Sequence, residues 1–484
     1  MQLRKRQGKI AKKRSRHCKK AHRSMSSLKW TYNRRHLRKD ANRRSRREAR
    51  ELKVQNENSA TQLRLEMTDN KSSMQYSFRQ RLNFCVFDTS GVQVPNCPHG
   101  PCLLFGRSST SGEIIERFFG CAVYRSERCN FIYVLGDSTN GTPSSSQQTH
   151  IKQTKVQYGR IRKSVNRLVA SGVELHYCGV CNDAVSLPHR DPVVGPLRRV
   201  AFRRPTHLIS AVVDDNGEAQ YWFASESVSV IANALITNRC DGVLCIGAPT
   251  LFEHFRCSAQ RRMSMKSFLL DFDCRFASFY QSSQFAQFSM LTNYFYDPAS
   301  VQKFDAFLMS VNHLAIVCDP PFGVIVRPLF TTIDELRRKF KKLHQGDLCE
   351  VNLLVILPIF VAKHVKHCDE QMEMVDYKVC YRNHPKYAKR EKSVVRIFTD
   401  FPLNKFVLPS QCGYRFCEMC ERYVSIENRH CGLCGICPSK DGSPYHHCDH
   451  CNRCVKNTYR HCEKCTRCHL KGRCLKDGNP SYGE

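Results

Sequence analysis

The stretch Asp319-Pro320-Pro321-Phe322 constrains the fold more than any other part of this chain, because of the residues that precede it. Residues 313–318 are an apolar, β-branched run, which is typical of a buried strand. The acid therefore lies at the carboxyl end of a strand, where open α/β sheets bind their ligands. The two prolines fix φ and remove two backbone donors, so the neighbouring carbonyl groups are free to accept hydrogen bonds from a ligand.

These groups suit a planar base that carries an exocyclic amine. The carboxylate of Asp319 and the carbonyl of Pro320 can accept from the two N–H groups of the amine, while the Phe322 ring stacks on the base. A strand that ends in a proline turn at the surface is the alternative. The tetrapeptide resembles motif IV of the amino-methyltransferases that use S-adenosylmethionine, the N6-adenine and N2-guanine enzymes especially. The resemblance implies four catalytic residues, Asp319, Pro320, Pro321 and Phe322.

The residues upstream of this motif have the order of a βαβ unit. A strand over residues 242–247 ends in Gly247, an amphipathic helix over 251–257 follows, and a strand over 267–271 ends in Asp271. In such units the glycine lets the backbone approach a cofactor closely, and the acid binds ribose hydroxyl groups. The glycine, the acid at the end of the second strand and the acid of the tetrapeptide, in this order, indicate a cofactor-binding α/β domain far more specifically than a single glycine does.

The resemblance extends to the cofactor site. It implies that S-adenosylmethionine is bound by Gln220, Tyr221, Trp222, Phe223, Gly247, Asp271, Asn293 and Asp319. The segment after Gly247 departs from the usual pattern because it lacks a second glycine. A nucleotide-binding or redox Rossmann domain is the rival, but the sequence lacks G-x-G-x-x-G and such a domain has no use for Asp-Pro-Pro-Phe. We therefore expect an α/β fold with a Rossmann-like class I methyltransferase domain over residues 216–409, flanked by small zinc-binding modules.

Composition indicates the class of partner. The 484 residues are enough for about two to four domains. The net charge of +33 indicates a polyanionic partner, most often nucleic acid.

We expect a soluble, intracellular protein that does not enter membranes, because neither a signal peptide nor a bilayer-length apolar run is visible. The 29 cysteines cluster in Cys-x2-Cys units beside histidines, which indicates zinc sites rather than disulfides.

The chain begins with a strongly basic segment. Residues 1–54 contain 22 lysines and arginines and three acids, and so carry +19 of the net charge. We expect residues 1–80 to be a disordered arm and linker that meets phosphate groups. The basic run over residues 12–20 resembles a nuclear or nucleolar address, so the expected location is the nucleus and nucleolus, with the cytoplasm as a further possibility.

A small zinc module is expected at residues 94–136. Its ligands would be Cys97, His99, Cys121 and Cys129. This spacing resembles the GRF zinc finger, a module associated with single-stranded nucleic acid, although Glu116 and Tyr133 depart from that family's usual residues. Cys102 is expected to be a bystander. The alternative is a purely structural zinc site with no role in nucleic-acid binding.

An insert over residues 154–215 offers three further ligands. They are Cys178, Cys181 and His189. The fourth ligand of this C2H2-like site is open between His176 and His207.

The C-terminal residues 410–475 form an internal repeat. The pair Cys417-x2-Cys420 precedes three units of the form His-Cys-x2-Cys-x2-Cys. The units are His430, Cys431, Cys434 and Cys437; His447, Cys448, Cys451 and Cys454; and His461, Cys462, Cys465 and Cys468. We expect at most three structural zinc ions here. The repeat resembles the DHHC-type cysteine-rich module, but Tyr445 replaces its Asp and no membrane span accompanies it, so acyl transfer is not expected. The ligand ladder of a ubiquitin-ligase RING does not match.

From Cys97 to Cys468 the order of these parts resembles the zinc-finger CCHC-domain-containing N6-adenosine methyltransferases of large-subunit ribosomal RNA. That family implies methylation of one adenosine in ribosomal RNA, with ribosome-assembly or helicase proteins as further partners. The tail after Cys468 does not supply the C-x2-C-x4-H-x4-C knuckle that names the family. Two alternatives stay open: a catalytically silent zinc-rich RNA-binding assembly factor, and an N2-guanine RNA methyltransferase.

Overall fold

The computed structural model describes residues 83–87, 89, 91–109, 113–123, 129–135, 157–212, 219–257, 265–345 and 348–474. The ranges belong to one compact unit, which runs from Arg81 to Glu484. The predicted basic arm and its nuclear address lie outside the described residues. No helix within the described ranges is both long enough and apolar enough to cross a bilayer.

The first module is an antiparallel sheet. Its strands are β1 (Asn83–Phe87), β2 (Asn96–Cys97), β3 (Gly100–Ser108), β4 (Ile114–Cys121) and β5 (Ile132–Val134). They pair in the order β1-β3-β4-β5, and β2 pairs with the start of β3. Among the described residues of this module, the buried cluster contains Cys97, Cys102, Leu104, Phe119 and Cys121, with partly buried side chains around them. So small a core needs a further source of stability, such as a metal ion.

The insert packs one helix beside a three-stranded sheet. The elements are α1 (Arg160–Ala170), β6 (Leu175–Cys178), β7 (Asp183–Val185) and β8 (Val193–Leu197), and the sheet order is β7-β6-β8. The insert is attached to the catalytic domain by Asn182, whose side-chain amide donates to the Arg275 carbonyl at 3.1 Å.

The catalytic domain is built around an eight-stranded sheet with the order β12-β11-β10-β9-β13-β14-β16-β15. Its elements are α2 (Ser225–Thr237), β9 (Gly242–Ile246), α3 (Pro249–Cys257), β10 (Lys266–Asp271), β11 (Phe285–Ser289), β12 (Tyr294–Phe295), α4 (Pro298–Met309), β13 (His313–Cys318), α5 (Val326–Leu343), β14 (Glu350–Pro358), α6 (Ala362–Cys368), β15 (Glu373–Val375) and β16 (Val395–Thr399). The strands predicted from the sequence over residues 242–247, 267–271 and 313–318 correspond to β9, β10 and β13.

The central strands of this sheet are parallel, and the chain reverses direction across the sheet at β9. From β9 the connection runs to β10 and β11 on one side, and the chain then returns to β13 on the other side. The carboxyl ends of β9 and β13 are therefore a topological switch point, where sheets of this kind bind ligands. Buried side chains cover both faces of these strands: Val243 and Val317 belong to one core, Leu244 and Ile316 to the other. The predicted α/β fold class is confirmed.

The C-terminal repeat forms three short hairpins. Their strands are β17 (Tyr414–Cys417) with β18 (Arg422–Ser425), β19 (Tyr445–Cys448) with β20 (Arg453–Lys456), and β21 (Arg460–Cys462) with β22 (Arg467–His469). Asp376 of the catalytic domain holds the first hairpin, because its carboxylate accepts from the Ser425 N–H and from the Asn428 amide, both at 2.9 Å.

Candidate active site and zinc centres

Asp319 directly follows β13, at the switch point. Its backbone N–H donates to the Ile246 carbonyl at 2.9 Å, which fixes the acid beside the end of β9. Gly247, the next residue after β9, has φ +64°, and a Cβ atom there would lie 2.8 Å from the Asp319 carbonyl oxygen. The glycine is therefore required by the close approach of the catalytic motif itself, in addition to any approach of a cofactor.

The Asp319 carboxylate has a partner that the sequence pattern did not indicate. The Tyr381 hydroxyl donates to Asp319 Oδ1 at 2.7 Å. The Tyr381 ring stacks on Phe223 with 5.2 Å between centroids, and Phe322 stacks on Tyr221 at 5.3 Å. Tyr381 belongs to the loop between β15 and β16, whose spacing carries no motif, so only the tertiary fold could reveal this contact.

Burial dominates the ionisation of the acids in this site. It raises the pKa of Asp319 well above the usual range, and the hydrogen bond from Tyr381 opposes that rise. Burial, followed by the charge of Asp273, raises the pKa of Asp271 to about 7. Two acids with raised pKa values in one cleft are typical of a functional site.

A cavity of about 500 Å³ opens beside these acids. Of the residues predicted to bind cofactor or to catalyse, it is lined by Gln220, Tyr221, Trp222, Gly247, Asp271, Asp319, Pro320, Pro321 and Phe322. Phe223 and Asn293 are not among its lining residues within the described ranges. Phe223 is instead a core residue, 2% exposed, and the Asn293 amide donates to Glu335 Oε2 on α5 at 2.7 Å. The chain turns away after β11 ends at Ser289, which carries Asn293 out of the pocket.

Further lining residues were not indicated by the sequence. They include Ala122, Val123, Phe272, Asp273, Arg275, Gln287, Ser289, Met290 and Tyr381. Asp273 connects two other lining residues of the cavity. Its carboxylate accepts from the Gln220 amide at 3.0 Å and pairs with Arg275 at 2.6 Å. A cavity of this size, with carboxylates at one end and aromatic walls, fits a nucleoside cofactor such as S-adenosylmethionine.

Cofactor affinity is expected to increase about tenfold between pH 6 and pH 8. Below pH 7 the Asp271 carboxyl is largely protonated, and only the carboxylate accepts from both ribose hydroxyl groups, so the binding-competent fraction rises through its pKa of about 7. Calorimetric titration with S-adenosylhomocysteine at several pH values measures this. Asp271→Asn should flatten the profile, whereas Asp305→Asn, at an acid paired with Lys339, should keep it. A pH-independent wild type would contradict the assignment.

The first zinc group matches the predicted ligand set. The donor atoms of Cys97, His99, Cys121 and Cys129 all lie within 4.8 Å of one another. The Cys121 sulfur is 3.7 Å from His99 Nδ1. Cys102, expected as a bystander, is buried and lies opposite Cys121 in the β3–β4 register.

The insert brings its three predicted ligands together. The Cys181 N–H donates to the Cys178 sulfur at 3.4 Å, and the Cys181 sulfur is 3.5 Å from His189 Nε2. His207, one candidate for the fourth ligand, instead pairs with Arg382 at 2.9 Å. An Asp191 carboxylate oxygen lies 3.9 Å from His189 Nε2.

The five Cys-x2-Cys pairs that each supply the first two ligands of a group share one backbone feature. The residue directly after the second cysteine has positive φ in each case: Asn182 (49°), Glu421 (48°), Gly435 (64°), Asn452 (45°) and Thr466 (56°). This left-handed turn is unusual for residues other than glycine and asparagine. Its recurrence in the insert indicates that Cys178 and Cys181 form a metal knuckle like those of the C-terminal repeat.

The C-terminal repeat contains four metal-binding groups rather than the expected maximum of three. They are Cys417, Cys420, His430 and Cys437; Cys431, Cys434, His447 and Cys454; Cys448, Cys451, His461 and Cys468; and Cys462, Cys465, His469 and Cys474. Each Cys-x2-Cys pair is completed by a histidine and a cysteine that follow it, so each repeated unit divides its ligands between two neighbouring groups. The last group has the form C-x2-C-x3-H-x4-C. It is one residue shorter than the C-x2-C-x4-H-x4-C knuckle of the family, which the tail after Cys468 does not contain.

The spacing of the donor atoms fits zinc. Sulfur atoms within the groups are separated by 3.6 Å (Cys434 and Cys454), 3.7 Å (Cys451 and Cys468) and 3.7 Å (Cys462 and Cys474). These separations are far longer than a disulfide bond and match the edge of a tetrahedron of about 3.8 Å that Zn–S bonds of about 2.3 Å define.

Metal analysis of the purified chain is expected to find six zinc ions: four in the repeat, one in the first module and one in the insert. Cys474→Ser removes a ligand of the last group only and should lower the content by one, measured by plasma mass spectrometry. Cys349→Ser, at a sulfur packed against the catalytic core, is the matched control and should keep all six. Five ions in the wild type would show that the insert is not a zinc site.

The fold and site together define a class. A sheet with parallel central strands, Asp-Pro-Pro-Phe at its switch point and a nucleoside-sized pocket beside it is the architecture of an S-adenosylmethionine-dependent amino-methyltransferase. The sequence model of a family described as probable N6-adenine methyltransferase matches residues 214–402.

Curated relatives make the assignment more specific. The rRNA N(6)-adenosine-methyltransferase ZCCHC4 of Homo sapiens is 33% identical over 372 residues, which cover 72% of this chain and 72% of that protein. The protein of the same name from Xenopus laevis is 32% identical over 365 residues (71% and 73%), and that from Mus musculus is 34% identical over 357 residues (70% of each). The chain belongs to this family of rRNA N6-adenosine methyltransferases.

Proposed function

We propose that this protein transfers the methyl group of S-adenosylmethionine to N6 of an adenosine in large-subunit ribosomal RNA. The observation that carries the proposal is the partly buried Asp319 at the switch point, beside a pocket that suits the cofactor, in a chain whose relatives bear the name of this activity. The proposed location is the nucleus and nucleolus, where ribosomal RNA is made, with ribosome-assembly or helicase proteins as further partners.

The chemistry requires alignment more than acid–base strength, because the lone pair of adenine N6 is delocalised into the ring. Hydrogen bonds from the amine to the Asp319 carboxylate and the Pro320 carbonyl favour a pyramidal nitrogen whose lone pair points toward the cofactor pocket. Phe322, already stacked on Tyr221, offers its ring to a base that has left its stack. The bound cofactor supplies an electrophilic methyl group.

Side chains of the loop between β15 and β16 lie where the substrate amine and base would bind. The Tyr381 hydroxyl occupies one of the carboxylate positions that the amine needs, and His384 and Tyr387 of the same loop pack against Phe322 at 5.7 and 5.6 Å. The amine of the adenosine therefore competes with the Tyr381 hydroxyl for Asp319 Oδ1. RNA loops and bulges suit such a site because their bases are already unstacked.

The site bears differently on the two alternative functions, an N2-guanine methyltransferase and a catalytically silent assembly factor. An N2-guanine enzyme uses the same pair of acceptors, so the site alone does not separate the bases, and the family match to N6-adenine enzymes favours adenine. A silent assembly factor would have no need of a partly buried acid with a raised pKa beside an open nucleoside-sized cavity.

A deletion experiment tests the proposal in cells. Loss of the gene should remove N6-methyladenosine from large-subunit rRNA, measured by nuclease digestion and mass spectrometry of the nucleosides. Re-expression of the wild type should restore it, and re-expression of Asp319→Ala should not. Loss of N2-methylguanosine instead would retain the reaction type and change the base.

The basic arm is expected to contribute nonspecific RNA affinity. Deletion of residues 1–54 removes a net charge of +19 and should weaken RNA binding. It should also reduce the slope of log affinity against log salt, by about 0.7 for each phosphate of a single strand that the arm neutralises in the full-length protein. Filter binding across a salt series measures both quantities. An unchanged slope would show that the arm does not bind phosphate.

A further inference from the structure

The first zinc module contributes residues to the cofactor pocket of the catalytic domain. Strand β4 ends at Cys121, a member of the module's metal-binding group, and the next two residues, Ala122 and Val123, line the cavity that also contains Asp271. Ala122 is 4% exposed, so it is enclosed rather than lying at a rim. The position of this wall is thus fixed by a zinc ligand one residue away.

A second zinc ligand is linked to the same pocket. The Tyr296 hydroxyl donates to the carbonyl of His99. The Tyr296 backbone N–H donates to the Gln287 carbonyl at 3.1 Å, and its ring packs edge-on against Phe272 with 5.7 Å between centroids. Gln287 and Phe272 both line the cavity. Two of the four ligands in the module therefore connect to the pocket, Cys121 through the next residue of the chain and His99 through Tyr296.

The contact between the two modules is close. Gly100, the residue after His99, has φ +117°, and a Cβ atom there would lie 3.1 Å from the Tyr296 hydroxyl oxygen. A larger residue at this position would be strained by its backbone and crowded by the tyrosine. Glycine fits both the positive φ and the short distance to Tyr296. The contact between the zinc module and the catalytic domain therefore depends on a specific residue.

We infer that the first zinc module is an integral part of the S-adenosylmethionine site, with Ala122 and Val123 forming an apolar wall beside the end of the pocket that Asp271 and Phe272 line. This inference rests on the proposed function. Ala122 and Val123 line the same cavity as Asp271, the acid that suits the ribose. The zinc ion of this module then supports cofactor affinity as well as any contact with RNA.

Calorimetric titration of the full-length chain with S-adenosylhomocysteine tests the inference without relying on turnover. Ala122→Leu places a larger side chain in the wall and should raise the Kd about tenfold or more. Tyr296→Phe keeps the ring and removes only the donor to His99, so a smaller rise of about threefold is expected. Ile115→Ala is the matched control, because Ile115 lies on the same strand β4 and is 57% exposed.

The outcomes separate the inference from the function. Zinc content equal to that of the wild type shows that a variant has kept the module folded, and Tyr296→Phe provides a test even if Ala122→Leu has lost zinc. Wild-type Kd values in both zinc-loaded variants would overturn the inference while leaving the proposed function intact. A wild type that does not bind S-adenosylhomocysteine would instead contradict the proposed function.

Discussion

Replacement of Asp319 by alanine is expected to lower the rate of methyl transfer by about 10²–10³-fold. The side chain is the acceptor that orients the amine, and alanine leaves only the Pro320 carbonyl for two N–H groups. Because Asp319 acts on the reacting amine, the loss should appear in kcat, while the Kd for RNA changes little and the Kd for the cofactor, whose pocket Asp319 also lines, changes less than kcat. Single-turnover kinetics with saturating RNA, together with both binding constants, distinguish these effects.

Two further variants control this experiment. Asp319→Asn keeps one oxygen acceptor in the same place and should retain more activity than the alanine variant. Asp305→Ala removes an aspartate of α4 that is paired with Lys339 at 2.8 Å and should transfer at the wild-type rate. Wild-type turnover in Asp319→Ala would show that the tetrapeptide is not the catalytic centre.

Replacement of Tyr381 by phenylalanine is expected to raise kcat/KM for RNA by about tenfold. The hydroxyl donates to Asp319 Oδ1 at 2.7 Å, and a hydrogen bond to a carboxylate contributes roughly 1.5–3 kcal/mol. Phenylalanine removes this competitor for the substrate amine and keeps the ring that stacks on Phe223. Steady-state kinetics over a range of RNA concentrations measure the change.

Tyr387→Phe is the matched control for this variant, because Tyr387 lies in the same loop and also packs against Phe322. Its rate should equal that of the wild type. A rate below wild type in Tyr381→Phe would indicate that the hydroxyl takes part in methyl transfer rather than competing with the substrate.

The local parts of the site were accessible from the sequence. The strand before Asp319, the turn at Gly247 and the acid at the end of β10 each depend on a few neighbouring residues, so strand periodicity and turn residues identify them in order. The structure places these three elements side by side at the carboxyl ends of the neighbouring strands β10, β9 and β13, as the βαβ order predicts.

The remaining features depend on contacts between distant segments. Tyr381 reaches Asp319 across 62 residues of sequence, and the contact of Tyr296 with His99 spans 197. In the C-terminal repeat, identical spacings allow several ways to divide ligands among metal ions, so the pairing of His469 and Cys474 with Cys462 required the fold. Asn293 was assigned by the family resemblance, but β11 ends at Ser289 and the Asn293 side chain pairs with α5.

The most direct test of the proposed activity is transfer of tritiated methyl from S-adenosylmethionine, by the purified zinc-loaded protein, to total RNA from cells that lack it. Nucleoside digestion and chromatography then identify the modified base, with Asp319→Ala as the control. We predict label in N6-methyladenosine from the large ribosomal RNA and none with the variant. Absence of label from RNA, in a protein that also fails to bind S-adenosylhomocysteine, would contradict the proposed activity.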